Sequence, residues 1–307
     1  MLIVIGGATG SGKSEVCCKL AKRIDGEIIS ADSMCVYRGM DIGTAKPLDC
    51  MKEVKHHLVD VVDIGYVFDA KLFEELALEA IKQIEEKGKT PIVCGGTYLY
   101  LQALLYGMGE TPKPDWKLRE RLYQIAQEKG SQYLYQRLKI VDPAYAKKIS
   151  PRDTKRIVRA LEVFINSGKP FSSFHRWDVP RLPFKGFYLK GSWEWLSKRI
   201  EERAKRMVQF GLLEEIKRLL ERGFESFLTS PQAIGYKEFI PCVKGEKEIA
   251  LCLEEMIKNT KEYAKRQIRW FRKQGWQEVD VESLGVDGAL ESMLLHLGTS
   301  QNHRPYP

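Results

Sequence analysis

Residues Gly7-Ala8-Thr9-Gly10-Ser11-Gly12-Lys13-Ser14 follow the spacing G-x-x-x-x-G-K-[ST]. They lie directly after an apolar run at 2–5 and directly before a helical repeat of Val16, Leu20 and Ile24. A strand that turns through glycines into a helix lets successive backbone N–H groups converge on phosphate oxygens. The helix N-terminus adds unpaired donors and partial positive charge. Thr9, Gly10, Ser11, Gly12, Lys13 and Ser14 are therefore candidate contacts to a di- or triphosphate. Lys13 would bridge phosphate oxygens and the Ser14 hydroxyl would help hold Mg²⁺. Which phosphate compound binds stays open, because such loops serve kinases, switch and motor NTPases, and enzymes of other pyrophosphates. The strand at 92–94 ends in Gly95-Gly96-Thr97 and not in an acid. That counts against an NTPase machine and leaves a small-molecule kinase open.

The rest of the chain extends the same alternation. A second short strand at 27–30 ends at Ala31-Asp32-Ser33, and Asp69 caps a helix carrying Phe73, Leu76, Ala77, Ala80 and Ile84 on one face. Pro91-Ile92-Val93-Cys94 is a third buried strand. Strand–helix–strand order of this kind predicts an α/β fold, a parallel sheet covered by helices. After Thr111-Pro112-Lys113-Pro114 the pattern becomes wholly helical, with Leu118, Leu122 and Ile125, then Leu134, Leu138 and Val141. A third helix follows an Asp153 cap with Ile157, Leu161 and Phe164 on one side. Residues 115–185 read as an all-helical insertion in a core formed by 1–114 and 186–307. A strand at 186–189 reopens that core, followed by two helices stopped at Gly211 and Gly223. A long helix then runs from about 246 to 273, and 298–307 reads as a disordered tail.

The 307 residues, 44% of them hydrophobic, can bury a sizeable core, and no apolar run reaches membrane-spanning length. The N-terminus reads as a buried strand and not as a signal peptide. Seven cysteines without metal-ligand spacing predict neither a disulfide framework nor a zinc site, and fit a reducing cytosol. Lys and Arg total 49 against 41 Asp and Glu, a net charge of +8. Residues 147–159 hold six basic side chains against one acid, and 261–273 hold Lys261, Lys265, Arg266, Arg269, Arg272 and Lys273 against Glu262. Two such stretches point to a polyanionic partner or to two solvated helix faces.

Asp32 falls at the carboxyl edge of the sheet, where ligands bind in folds of this kind. A carboxylate there can ligate Mg²⁺, accept a proton as general base, or serve only as a turn residue in its Asp-Ser setting. Thr97, at the same edge, can donate to a developing oxyanion or cap the helix that follows. No Ser/His or Cys/His pairing suggests a covalent intermediate.

The segment Ile28-Ile29-Ser30-Ala31-Asp32-Ser33-Met34-Cys35-Val36-Tyr37-Arg38-Gly39-Met40-Asp41-Ile42-Gly43-Thr44-Ala45-Lys46-Pro47 is highly specific. Together with the glycine loop it resembles the tRNA dimethylallyltransferase (isopentenyltransferase) family. Further matches follow in order. They are Cys94-Gly95-Gly96-Thr97-Tyr98-Leu99-Tyr100, then Lys155-Arg156-Ile157-Val158-Arg159, Arg203 with Met207 and Gly211, Ala233-Ile234-Gly235-Tyr236, and Lys265-Arg266-Gln267-Ile268-Arg269-Trp270-Phe271-Arg272. The resemblance implies transfer of a dimethylallyl group from dimethylallyl diphosphate to N6 of the adenosine 3′-adjacent to the anticodon. The glycine loop then holds the prenyl donor with Mg²⁺ at Ser14, and ATP is not a substrate. Asp32 becomes the general base, and Thr97 and Arg203 attend the departing diphosphate. The path of the tRNA anticodon stem-loop would be lined by Asp32, Ser33, Met34, Cys35, Tyr98, Lys155, Arg156, Arg159, Lys265, Arg266, Arg269 and Arg272. Cys35 stands where the family usually has Gln, and the C-terminal Cys/His finger of eukaryotic members is absent. A cytoplasmic, monomeric enzyme of bacterial type is expected, with a small-molecule kinase and a non-catalytic RNA-binding module as the competing readings.

Overall fold

A parallel strand whose sheet is covered by helices on both faces needs a continuous apolar run, with no polar alternation. β1 (Leu2–Gly7) and β2 (Gly26–Ala31) meet that demand and are buried at every position. The computed structural model describes residues 1–174 and 179–298. The first part of the chain continues through α1 (Lys13–Arg23), α2 (Leu48–Glu53), β3 (His56–His57), α3 (Ala70–Glu86), β4 (Thr90–Gly95) and α4 (Tyr98–Tyr106). Four helices follow, α5 (Trp116–Lys129), α6 (Ser131–Val141), α7 (Pro143–Ala146) and α8 (Thr154–Ser167). The chain then runs through β5 (Phe184–Lys190), α9 (Trp193–Gln209), α10 (Leu212–Glu221), α11 (Tyr236–Val243), α12 (Ile249–Phe271), β6 (Gln277–Asp280) and α13 (Val281–Leu297). The tail expected at 298–307 lies, beyond Gly298, outside the described residues.

The strands form one sheet in the order β3-β2-β4-β1-β5-β6. Every pairing is parallel, with Ile5 beside Cys94, Ala31 beside Gly95, and Gly7 beside Leu189. This is the expected α/β architecture. Because the strands run the same way, the ends of β1, β2 and β4 meet at one edge, which brings the glycine loop, Asp32 and Thr97 together. The approach is close there: a Cβ on Gly95 would lie 2.2 Å from the Ala31 carbonyl oxygen. On one side of the sheet Ile3, Ile5 and Phe187 pack with Val16 and Leu20 of α1 and with Ala289, Met293 and Leu294 of α13. Ala8, Leu196 and Ile200 pack with Ala264 of α12 in a second cluster. Among the described residues no helix is long and apolar enough to cross a membrane.

Two compact units divide the chain, Met1–Leu104 with Leu182–Pro307, and Leu105–Arg181. The helical unit thus starts inside α4, ahead of the 115–185 read from the proline punctuation. Its two ends are fastened where the Arg181 N–H donates to the Leu105 carbonyl at 2.8 Å. Leu122, Leu134, Leu138, Ile157 and Leu161 make its core. Beside them Glu162, 0% exposed, accepts from the Asp115 N–H (2.6 Å), Arg119 Nε (2.9 Å) and Arg159 Nη1 (2.7 Å).

One sequence expectation is corrected, and two elements had no expectation. Cys17 with Cys94 and Cys18 with Cys50 form disulfides, against the expectation of no disulfide framework. The partners lie 77 and 32 residues apart along the chain and come within reach only because α1 packs across β4 and α2. β6 and α13 also went unread. β6 is a four-residue edge strand with only Val279 buried, and Gly285 at φ 65° breaks the helical period of α13.

Candidate active site

The glycine loop folds by its own backbone. Gly10 and Gly12 take φ of 86° and 84°, the left-handed region that a side chain would disfavour. The Ser11 N–H returns to the Ala8 carbonyl at 3.1 Å, and Lys13 Nζ donates to the same oxygen at 2.7 Å. Two arginines of α9 reach the loop. Arg199 Nε donates to the Gly10 carbonyl at 2.7 Å, and Arg203 Nη2 donates to the Thr9 hydroxyl. Desolvation, and then the neighbouring Arg203 charge, push the Lys13 ammonium down to about 7, with Asp32 pulling the other way. Burial lowers Arg203 as well. The Ser11 hydroxyl is fully buried with no hydrogen-bond partner. Two crowded cations and a helix N-terminus give this end of the site a positive field suited to an anion.

These groups open into a cavity of about 440 Å³, lined at this end by Thr9, Gly10, Gly12, Lys13, Ser14 and Arg203. Ser11 alone of the six expected loop contacts is absent from the lining, because it is tucked beneath the loop. Among the described residues no cluster of three His, Cys, Asp or Glu side chains could hold a metal.

Asp32 lines the same cavity and is also a turn residue: its Oδ1 accepts from the Met34 N–H at 2.8 Å and the Cys35 N–H at 3.3 Å. The turn thus fixes the direction of the carboxylate within the cavity. Its charge acts on both Lys13 and Arg203. Thr97 receives the Ser33 N–H on its hydroxyl at 3.1 Å, tying the end of β4 to the turn after β2. Its own N–H donates to the Ala31 carbonyl at 3.1 Å, and its carbonyl opens α4. The cavity wall at this corner is Gly96 and Tyr263, and the Tyr263 phenol faces the Thr97 hydroxyl.

The far wall comes from the long motif after β2 and the segment before α11. Ser33, Met34, Cys35, Gly43 and Thr44 face Ala233, Ile234 and Met256. Burial pushes the Cys35 thiol well up, so it stays neutral, and its Sγ donates to the Thr44 carbonyl at 3.9 Å. Glu215, from α10, holds this loop through the N–H groups of Asp41 (3.0 Å), Ile42 (2.9 Å) and Gly43 (3.2 Å), and accepts from the Tyr236 hydroxyl at 2.6 Å. Lys46 Nζ fastens the other side by donating to the Tyr37 carbonyl (2.7 Å), Asp41 (2.7 Å) and Asp60 (2.5 Å).

The expected nucleic-acid contacts separate into two sets. On α12, Lys265, Arg266, Arg269 and Arg272 are exposed, with Trp270 beside Tyr98 at 6.1 Å between ring centroids. Lys265 is paired with Glu262 at 2.9 Å. On α8, Lys155 and Arg156 are exposed, whereas Arg159 turns inward to Glu162, the Thr111 hydroxyl and the Pro112 carbonyl. Sequence reasoning did not single out Gln267 within its motif. Its Oε1 accepts from the Thr9 N–H and its Nε2 donates to the Gly96 carbonyl, both at 2.8 Å. A polar residue at a core position of an amphipathic helix was the available signal.

A family model described as IPP transferase matches residues 35–274. A tRNA dimethylallyltransferase of Aquifex aeolicus (strain VF5) is 64% identical over 293 residues, covering 95% of this chain and 96% of its own length. A protein of the same name from Hydrogenobaculum sp. (strain Y04AAS1) is 54% identical over 272 residues, covering 88% and 91%. Among solved structures, a Staphylococcus epidermidis tRNA delta(2)-isopentenylpyrophosphate transferase superposes with a TM-score of 0.68 at 34% identity, covering 97% of this chain and 98% of that one. A eukaryotic dimethylallyltransferase acting on tRNA gives 0.81 at 30% identity, covering 100% and 82%. Matches of this identity run nearly end to end through the loop, the cavity and the basic helix, and the chain belongs to the IPP transferase family, the family of the tRNA dimethylallyltransferases.

Proposed function

We propose that this enzyme transfers the dimethylallyl group of dimethylallyl diphosphate to N6 of the adenosine 3′-adjacent to the anticodon in tRNA, releasing diphosphate. The observation that carries this reading is the meeting of Lys13, Arg203 and the Asp32 carboxylate in one cavity. Cations at one end suit a diphosphate, and a carboxylate beside them suits an acceptor that must lose a proton. The exocyclic amine is a weak nucleophile because its lone pair is delocalised into the ring. As N6 bonds to C1 of the prenyl group, the C1–O bond breaks and its electron pair leaves on the diphosphate. The amine acidifies in that step, and Asp32 takes its proton. Lys13, Arg203 and loop N–H groups hold the negative charge that builds on the leaving oxygen, and Thr97, behind the Gly96–Tyr263 wall, is offered as a further donor to the same group.

Mg²⁺ fits this end of the cavity. Such an ion takes few protein ligands beside phosphate oxygens and water, and the Ser14 hydroxyl would hold it, with the Asp32 carboxylate in the same cavity. When bound, it neutralises charge on the diphosphate. The exposed basic face of α12, with Trp270 and Tyr98, suits the phosphates and unstacked bases of an RNA loop. Lys155 and Arg156 on α8 are offered as further phosphate contacts, and Ser33, Met34 and Cys35 as contacts to the extruded base. A tRNA acceptor puts the reaction in the cytoplasm.

The test is incubation with radiolabelled dimethylallyl diphosphate, Mg²⁺ and unmodified tRNA, followed by nucleoside analysis. Label is expected in N6-dimethylallyladenosine, with Asp32→Asn keeping tRNA affinity and losing turnover by roughly 100-fold or more. Label-free RNA, with phosphate transfer from ATP to a small acceptor in a parallel reaction, would overturn the proposal in favour of a kinase.

A further inference from the structure

Gln267 is 2% exposed, yet it faces the cavity and makes two hydrogen bonds, both to backbone and both to site-forming segments. Its carbonyl oxygen holds the N–H of Thr9, the residue whose hydroxyl receives Arg203. Its amide nitrogen holds the carbonyl of Gly96, the residue before Thr97. The fit at Gly96 is close: a Cβ there would lie 2.2 Å from Gln267 Nε2 and 3.1 Å from the Gly7 carbonyl oxygen, so the clasp requires glycine at that position. In a phosphate loop every N–H is a potential ligand, and Gln267 takes the one on Thr9 for itself.

We propose that Gln267 is a positioning residue that sets the spacing between the phosphate loop and the Thr97 turn, so that Arg203 and Thr97 address one leaving diphosphate. This rests on the transferase reading given above. Only a side chain with an acceptor and a donor side by side can make the clasp. A carboxylate keeps the acceptor for Thr9 and turns a second oxygen against the Gly96 carbonyl. A protonated carboxyl restores both contacts, because its O–H donates to Gly96 while its C=O accepts from Thr9.

The full-length enzyme is assayed with dimethylallyl diphosphate and unmodified tRNA as wild type, Gln267→Met and Gln267→Glu. Gln267→Met is expected to lower kcat roughly 10- to 100-fold while the KM for tRNA stays within about twofold. The Gln267→Glu rate, divided by the wild-type rate at the same pH, is expected to recover as pH falls from about 8 to about 5.5, because burial, the Gly96 carbonyl and the Asp32 carboxylate raise the new carboxyl against the lowering pull of Lys13 and Arg203, with the Tyr263 phenol neutral throughout. The same ratio for Gln267→Met stays flat. Inorganic diphosphate affinity, measured by calorimetry, is expected to follow the same pattern and needs no turnover. A flat Gln267→Glu ratio, or a Gln267→Met enzyme with wild-type kcat, would overturn the role. Wild-type turnover tests the transferase reading separately, so the two failures are distinguishable.

Discussion

The glycine loop and the loop from Asp32 to Lys46 line one cavity and draw on local and remote contacts in different proportions. The first takes its turns from its own backbone, where Ser11 returns to the Ala8 carbonyl and two glycines supply the left-handed φ, and the remote side chains Arg199, Arg203 and Gln267 touch only its rim at Thr9 and Gly10. The second is held from afar, by Glu215 across sequence separations of 174, 173 and 172 residues and by Tyr236 behind it. Turns made by glycine backbone leave Lys13, Ser14 and the neighbouring Arg203 on the cavity wall, at the cost of crowding Lys13 against Arg203. Anchoring to a buried carboxylate makes the second loop part of the folded core. Substitutions in the first should therefore strike binding and spare the fold, and substitutions under the second should do the reverse.

Glu215 gives the largest expected effect. Glu215→Ala leaves three N–H groups and the Tyr236 hydroxyl without their acceptor in a buried setting, a loss of about 3–5 kcal/mol by analogy with breaking buried charged networks. Urea denaturation measures it, and calorimetry at low denaturant should find inorganic diphosphate affinity unchanged in the folded fraction. A stability loss below about 1 kcal/mol would show that the loop does not depend on its distant carboxylate.

Lys13 comes next and inverts the pattern. Lys13→Met should cost roughly 100-fold in diphosphate affinity and turnover. Its melting temperature should match or exceed that of wild type without ligand, because the substitution removes a desolvated cation from beside Arg203. A lower melting temperature would mean that the phosphate loop, too, is structural, and the contrast between the two loops would fail.

The same contrast governs what could be read without coordinates. The glycine loop, the sheet edge carrying Asp32 and Thr97, and the three main helices of the Leu105–Arg181 unit depend on local spacing and periodicity, and each stands where that spacing put it. Asp32 offered the choice between turn and cavity wall, and that it does both became legible only with Met34 and Cys35 on Oδ1 and the carboxylate in the lining. What stayed hidden was set by partners remote in sequence. Arg159 belongs to a basic run, yet the Thr111 hydroxyl and the Pro112 carbonyl, 48 and 47 residues away, draw it inward. The clasp of Gln267 and the cysteine pairs depend on which helix crosses which strand, which no window of the sequence encodes.

The smallest effect isolates the crowding at Lys13 itself. In the unliganded fold, desolvation and Arg203 hold Lys13 at about 7, against an ordinary 10.5. Between those values the unfolded chain carries a proton that the folded chain has lost, so the stability of the unliganded protein rises with pH across that window and gains no slope from Lys13 below it. A bound diphosphate reverses the preference, because negative charge beside Nζ favours the ammonium. Above pH 7 binding must therefore take up a proton, and affinity should fall by as much as about tenfold per pH unit. Calorimetry in two buffers of different ionisation enthalpy measures that uptake directly. Lys13→Arg supplies the reference, since its guanidinium keeps its charge throughout and the ligand's own titration cancels in the difference. Wild type should bind close to one more proton than Lys13→Arg at pH 8.5 to 9, and the excess should vanish near pH 6. Equal uptake by both proteins at every pH would mean that Lys13 is already charged in the empty cradle.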